Sequence, residues 1–444
     1  MGRRPPAQLL TLSLAALIAV GTVLLWLPVS ASGVGLSFID AFFTATSAVC
    51  VTGLIVVDTP GDLSLFGQLV VLLLIQAGGL GYMAITTVVA VGLGRQITIR
   101  DRLTLQEALN VQTMDGLVRF TLAVFKFTLL FELVGAALLA SRWAAEFGAG
   151  RAAYLGLFHA VSAFNNAGFS LFPDSLMSQR GDWVVNLIVM ALILSGGVGF
   201  VVLSEVTRWR PRKRLSLHTR LVLTVTALLV IGATVAILVL ERHNPATLAG
   251  LEPGEAVLAA VFQAVTPRTA GFNTLNTGAL LTPTLFLLMV LMFVGAAPGG
   301  TAGGVKITTV SIAVAALWAT IRGRDEATLF RRRLAPALVA RAFFISLIAL
   351  LAVAVITGLL LAVEARGLLP TLFEATSAFG TVGLSMGEGD GPVSLAAHFS
   401  AAGRLLVIVM MFAGRIGPLT LAVAMAYRGR PPQVRYPEGK VLVG

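Results

Sequence analysis

The feature that most constrains the fold is a set of long runs containing no charged side chain: 9–29, 63–94, 183–204, 221–240, 269–305 and 342–363. A helix that crosses about 30 Å of hydrocarbon at about 1.5 Å per residue needs about 20 apolar residues. Each of these runs is long enough. Two more, 117–140 and 400–427, qualify if Lys126, Glu132, Arg404 and Arg415 are accommodated within or near them. Eight spans follow. The first run, preceded by Arg3 and Arg4, is longer than the roughly 7–15 apolar residues of a cleaved signal, so it reads as a span.

Charge then sets orientation and narrows function. Segments 1–8, 94–119, 207–220, 322–341 and 428–444 hold 22 of the 32 Lys and Arg residues and 6 acidic ones. The complementary stretches 29–64, 141–182, 241–280 and 364–404 hold 7 basic and 13 acidic residues. The positive-inside rule places the first set and both termini in the cytoplasm, and eight crossings return the chain to its starting side. The net charge of +11 therefore reads as membrane topology and not as a nucleic-acid surface. One Cys and four His exclude a disulfide framework and a zinc site built on Cys pairs. No cytoplasmic segment exceeds about 26 residues, too few for a folded nucleotide-binding or catalytic domain. The chain reads as a non-enzyme that binds no nucleotide itself.

The four outer segments share a pattern. Each has about ten apolar or amphipathic residues beginning at a Phe, then a polar turn ending in Gly and a large apolar residue. The turns are Val49-Cys50-Val51-Thr52-Gly53-Leu54, Asn165-Asn166-Ala167-Gly168-Phe169, Thr266-Pro267-Arg268-Thr269-Ala270-Gly271-Phe272 and Ala378-Phe379-Gly380-Thr381-Val382-Gly383-Leu384. Gly53, Gly168, Gly271 and Gly383 are separated by 115, 103 and 112 residues, and each interval holds two spans. The expected fold is an all-α membrane protein: eight transmembrane helices plus four short re-entrant pore helices, in four repeats of outer helix, pore loop and inner helix. The repeats are 1–94, 95–210, 211–325 and 326–444.

Irregular backbone at membrane depth is tolerated only against protein or a water-filled cavity. Four repeated turns can surround one axis, which gives a single pore. Short helices entering from outside direct their C-terminal carbonyls and negative dipole ends toward the turns. A Gly there allows backbone oxygens to face an ion with no side chain in the way. Each turn has few consecutive small residues, so few coordination rings and loose selectivity are expected.

The sixth run holds Gly295-Ala296-Ala297-Pro298-Gly299-Gly300-Thr301-Ala302-Gly303-Gly304-Val305-Lys306. Pro and repeated Gly break a helix here. With a start near Leu281 the break lies roughly 21 Å below the outer face, and residues 307–321 finish the crossing. Val305 separates Gly304 from Lys306, so this is no Walker phosphate loop. Gly78-Gly79-Leu80-Gly81, Gly196-Gly197-Val198-Gly199 and Gly414-Arg415-Ile416-Gly417-Pro418 lie at comparable depth, where small residues allow close packing or a cavity. Arg415, near mid-membrane, is a functional candidate by its cost; the alternative is a buried pair with Glu132. Lys306 and Lys126 have the simpler option of snorkelling to the surface.

With these motifs the sequence resembles the Trk/Ktr/HKT superfamily of potassium transport proteins, most of all its Ktr-type membrane subunits, over nearly its whole length. The resemblance implies a potassium selectivity filter at Val51, Thr52, Gly53, Asn166, Ala167, Gly168, Thr269, Ala270, Gly271, Thr381, Val382 and Gly383, with K+ held by backbone carbonyls. Sodium-preferring plant-type relatives can carry Ser at the first filter Gly; Gly53 implies potassium. The loop 295–304 is implied as the gate, with Arg415 projecting below the filter onto it and Lys306 beside it. Also implied are a homodimer with one pore per protomer, activation by Na+, and a cytosolic nucleotide-binding ring of KtrA type. The protein would sit in the inner (plasma) membrane among lipid, with no nucleic-acid partner. Two alternatives stay open: a sodium-coupled secondary transporter, and a pore subunit of a potassium-pumping ATPase complex. The first predicts inverted repeats and midplane carboxylates, whereas the units here run in one direction.

Overall fold

The computed structural model describes residues 6–33, 35–81, 117–209, 215–388 and 392–417. Most of the basic segments 94–119 and 428–444, the ends of the runs 63–94 and 400–427, and the expected repeat boundaries at 94 and 210 lie outside the described residues.

Among the described residues, four helices are long and apolar enough to cross a membrane: α1 (Pro6–Trp26), α4 (Leu117–Phe147), α8 (Leu217–Glu241) and α12 (Pro336–Val363). Their exposed surface is itself apolar, with Leu228, Ile231, Val235 and Val239 on α8 and Leu347, Leu350, Leu351 and Val355 on α12. A helix apolar on every face is stable only in a core or in lipid.

Four shorter helices follow them in the chain: α2 (Phe38–Cys50), α5 (Ala149–Phe164), α9 (Pro253–Val265) and α13 (Leu368–Gly380). At 13, 16, 13 and 13 residues they fall short of the membrane thickness. Ser37 caps α2 through the backbone N–H of Asp40, and Pro253 occupies the first turn of α9, both favoured starts. Each helix is anchored by a fully buried Phe: Phe43, Phe158, Phe262 and Phe373.

The runs 63–94, 183–204, 269–305 and 400–427 each read as one span, but among the described residues the helices in them are shorter. They are α3 (Leu65–Leu80), α6 (Trp183–Gly197) with α7 (Phe200–Thr207), α10 (Thr282–Phe293) with α11 (Ile307–Ile321), and α14 (Ala401–Ile416). Helix α3 ends at Gly81 and α14 at Gly417, and between α6 and α7 the axis turns by 105° at Gly199. These three glycines have φ of 75°, 88° and 86°, a backbone that ends an α-helix and that Gly adopts without a Cβ penalty. Helix α11 has the bounds expected for the completed crossing.

Packing closes the four units on one another. Each of α3, α6 and α10 packs on the short helix of the following repeat, α5, α9 and α13, and α14 packs on α2 of the first. Arg404 of α14 and Asp40 of α2 pair across the same junction. A small hairpin, β1 (Thr328–Leu329) and β2 (Arg332–Arg333), joins α11 to α12.

Candidate functional site

The short helices end in four loops with one backbone design. Val51, Asn166, Thr269 and Thr381 have φ of 56°, 60°, 71° and 49°, and two residues on Gly53, Gly168, Gly271 and Gly383 have φ of 90°, 72°, 77° and 92°. Left-handed φ at Val and Thr is costly and needs support from surrounding structure. That support is visible. Thr52 N–H donates to the Ser47 carbonyl at 2.8 Å, Ala167 N–H to Ser162 at 2.7 Å and Val382 N–H to Ser377 at 2.9 Å. The hydroxyls of Ser47 and Ser377 accept from the N–H of Gly53 and Gly383, both at 3.1 Å. Ser162 instead donates to the Phe169 carbonyl at 2.7 Å, and in the third repeat Thr266 donates to the Phe272 carbonyl. The loop N–H groups are thus drawn back to the short helices.

The glycines close a ring. A Cβ on Gly53 would strike the carbonyl oxygen of Ala167, one on Gly168 that of Ala270, one on Gly271 that of Val382, and one on Gly383 that of Thr52. The four loops therefore follow one another in chain order around the ring, with the fourth returning to the first. Each carbonyl belongs to the residue before the next ring glycine. All twelve residues expected at the filter lie in these four loops, and the loops meet.

Above the ring is a cavity of about 170 Å3, lined by the four glycines together with Asp58, Asn273, Asn276 and other polar loop residues. Among the described residues that line it, Asp58 alone is ionisable. Partial burial, then the neighbouring Asp62 charge, raises its carboxyl above the ordinary value, while the Gly61 N–H acts the other way. Glu388, five residues beyond Gly383 as Asp58 is beyond Gly53, is paired with Arg366 at 2.6 Å and lies 3.7 Å from His398. That pairing holds Glu388 below its usual range.

Below the ring lies the 295–304 segment. Its ends are held together by a bridge between Val294 and Val305 and by the Ile307 N–H on the Ala296 carbonyl at 3.1 Å, so it leaves the helix line and returns as a loop. It pairs with the break in the second inner helix: Ala297 N–H on Gly197 O at 3.0 Å, Phe200 N–H on Gly299 O at 3.0 Å, and Thr301 N–H on Gly196 O at 3.3 Å. Thr301 also donates its hydroxyl to Phe164 O at 3.3 Å, and Gly303 lies against the Thr381 side chain. The loop therefore runs beneath the second and fourth ring loops.

Arg415 reaches it from α14, donating to the carbonyls of Thr301 and Gly78. This replaces the alternative pairing with Glu132. Lys306 does not snorkel away; its Nζ donates to Ala302 O at 2.5 Å. Lys126 is exposed on α4.

Glu132 belongs to a cluster that sequence reasoning missed. Its carboxylate accepts from Gln76 at 3.1 Å and from Asn165 at 2.8 Å, and Asn165 also donates to Gln76 at 2.9 Å. An inner helix, an outer helix and a ring loop are joined there. The serines behind the ring were also missed, although Ser six positions before the ring Gly in three of the four repeats was a readable signal.

Comparison with known proteins follows the same lines. The TrkH family, described as cation transport protein, matches residues 6–430. The chain is 42% identical over 442 residues to Ktr system potassium uptake protein B of Bacillus subtilis, covering 100% of this chain and 97% of that protein. It is 36% identical over 449 residues to the potassium/sodium uptake protein NtpJ of Enterococcus hirae, covering 100% and 98%. The crystal structure of the potassium transporter TrkH from Vibrio parahaemolyticus superposes with a TM-score of 0.74, covering 96% of this chain and 86% of that one at 19% identity, a likeness of fold.

Proposed function

The chain belongs to the TrkH family of cation transport proteins, and from that premise we propose that it is the potassium-conducting pore subunit of a Ktr-type uptake system. The observation that carries the reading is the closed ring of Gly53, Gly168, Gly271 and Gly383 with the carbonyls of Thr52, Ala167, Ala270 and Val382 beside it. Backbone oxygens replace the water that a potassium ion sheds. The architecture proposed is eight spans and four re-entrant helices in four repeats, with both termini in the cytoplasm of a plasma-membrane protein.

The 295–304 loop is the gate. It lies under the ring with two cationic side chains, Lys306 and Arg415, on its carbonyls, and it opposes a cation both sterically and by charge. Conduction requires it to move aside. The force for that movement comes from outside the chain: the Ktr system naming of the relatives supports a partner subunit, which in this proposal is a cytosolic nucleotide-binding ring of KtrA type acting on a homodimer. Sodium as an activator is part of the proposal; the Enterococcus relative's name speaks only of potassium/sodium uptake.

The test is potassium uptake in a transport-deficient bacterium by this chain, Gly53→Ser and Gly271→Ser. Both substitutions are expected to lower the preference for potassium over sodium. An unchanged preference in both would remove the filter reading. Uptake without conductance and strictly dependent on sodium would favour a coupled transporter.

A further inference from the structure

Every ring loop continues outward into the wall of the same cavity, and the charge on that wall is uneven. Five residues beyond the ring glycines stand Asp58, Pro173, Asn276 and Glu388. Of the two acids, Glu388 is neutralised by Arg366, whereas Asp58 makes no ion pair among the described residues. Asp58 is half-buried and faces the cavity from a tight turn, in which its N–H donates to Asp62 at 2.7 Å and the Asp62 N–H returns to its carbonyl at 2.8 Å. The turn fixes the carboxylate where a cation must pass to reach the ring. A low-dielectric wall focuses the field of such a charge and raises the local cation concentration.

We propose that Asp58 is the cation concentrator of the outer mouth, setting the external potassium concentration at which the ring fills without taking part in selection between ions. The inference rests on the pore reading above and deepens it. A fixed carboxylate at the cavity wall acts through space, so its influence is screened by salt over about 10 Å at 0.1 M ionic strength. A contact that merely braced the turn would not be screened.

The experiment measures potassium uptake by the full chain with its regulatory partner, in buffers of about 10 and about 300 mM ionic strength set with a large organic cation, conditions on either side of strong screening. Asp58→Asn is expected to raise the half-saturating potassium concentration roughly two- to fivefold at low ionic strength and to match the unsubstituted protein at high ionic strength. Asp58→Glu should stay close to the unsubstituted protein in both. Asp58→Cys allows the charge to be restored on folded protein, because the single native cysteine, Cys50, is fully buried. A sulfonate-bearing thiol reagent should return half-saturation toward the original value, and a trimethylammonium reagent should move it further away.

The proposal is overturned if Asp58→Asn is indistinguishable at low ionic strength, if its deficit persists at high ionic strength, or if the two reagents act alike. These outcomes differ from failure of the pore reading, in which the unsubstituted chain takes up no potassium or the ring-glycine substitutions leave ion preference intact.

Discussion

Arg415, on the last inner helix, donates to the backbone carbonyl of Thr301 across 114 residues of sequence, and its second nitrogen holds the carbonyl of Gly78. One guanidinium thus joins the fourth repeat, the loop of the third and the inner helix of the first. Hydrogen bonds from a charged donor contribute about 1.5–3 kcal/mol each, enough to bias a closed loop by about tenfold or more. Arg415→Gln is therefore expected to raise potassium flux in the absence of the regulatory partner, and Arg415→Lys to raise it less, because an ammonium lacks the planar fork that spans two carbonyls. Flux assays without the partner check this, and unchanged flux in Arg415→Gln would remove the latch.

Shortening the loop should act in the same direction and more strongly. Deleting 296–303 removes the bonds to Gly196, Gly197 and Phe200 together with the Lys306 and Arg415 acceptors. High partner-independent flux is expected. Low flux that still responds to the partner would place the gate elsewhere.

The serines behind the ring offer a test of its rigidity. Ser47 and Ser377 satisfy the N–H groups of Gly53 and Gly383 at 3.1 Å. Alanine at either position leaves a buried donor unpaired, at a cost of about 1–3 kcal/mol, and releases a strained backbone from its support. Ser47→Ala and Ser377→Ala are expected to weaken the preference for potassium over sodium while membrane insertion is retained, measured by competitive uptake.

Glu132 couples a ring loop to two helices. Glu132→Ala removes the acceptor of the Gln76 amide, while Asn165 keeps its bonds to Val161 and Gln76, and should destabilise the protein by about 1–3 kcal/mol, read as a lower melting temperature in detergent. Glu132→Gln should keep most of that stability, since an amide can accept from Asn165 and donate to a turned Gln76. Equal losses in both would mean that charge, and not hydrogen bonding, matters there.

What was legible in the sequence has a physical pattern. Helix α11 was readable to its ends because Pro298 and its glycines make a helix impossible before 307. The repeat was readable because its four turns recur between apolar runs. The left-handed backbone at Val51 was not, since a β-branched residue argues against that conformation and only the Ser47 bonds make it tolerable. Gly199 was ambiguous for another reason: small residues in a membrane helix serve close packing as readily as a break. Depth alone fits Glu132 and Thr301 equally as partners of Arg415; the family resemblance pointed to the 295–304 loop, where Thr301 accepts from it.

Gly199 allows strain to be separated from gate contact. Gly81, Gly199 and Gly417 share one positive-φ, extended-ψ conformation at the ends of three inner helices, so alanine at any of them meets a similar backbone penalty, about 1–3 kcal/mol. Their surroundings differ. A Cβ on Gly199 would lie 2.7 Å from the carbonyl oxygen of Pro298 in the 295–304 loop, whereas at Gly81 and Gly417 no atom of the described residues comes within 4 Å. All three substitutions should lower thermal stability to a similar extent. Gly199→Ala alone should also push the loop from its bonds to Gly197 and Phe200 and raise partner-independent flux. If Gly81→Ala raises flux as much, the helix break itself controls opening; if Gly199→Ala leaves flux unchanged, the loop yields to the added methyl without leaving the pathway.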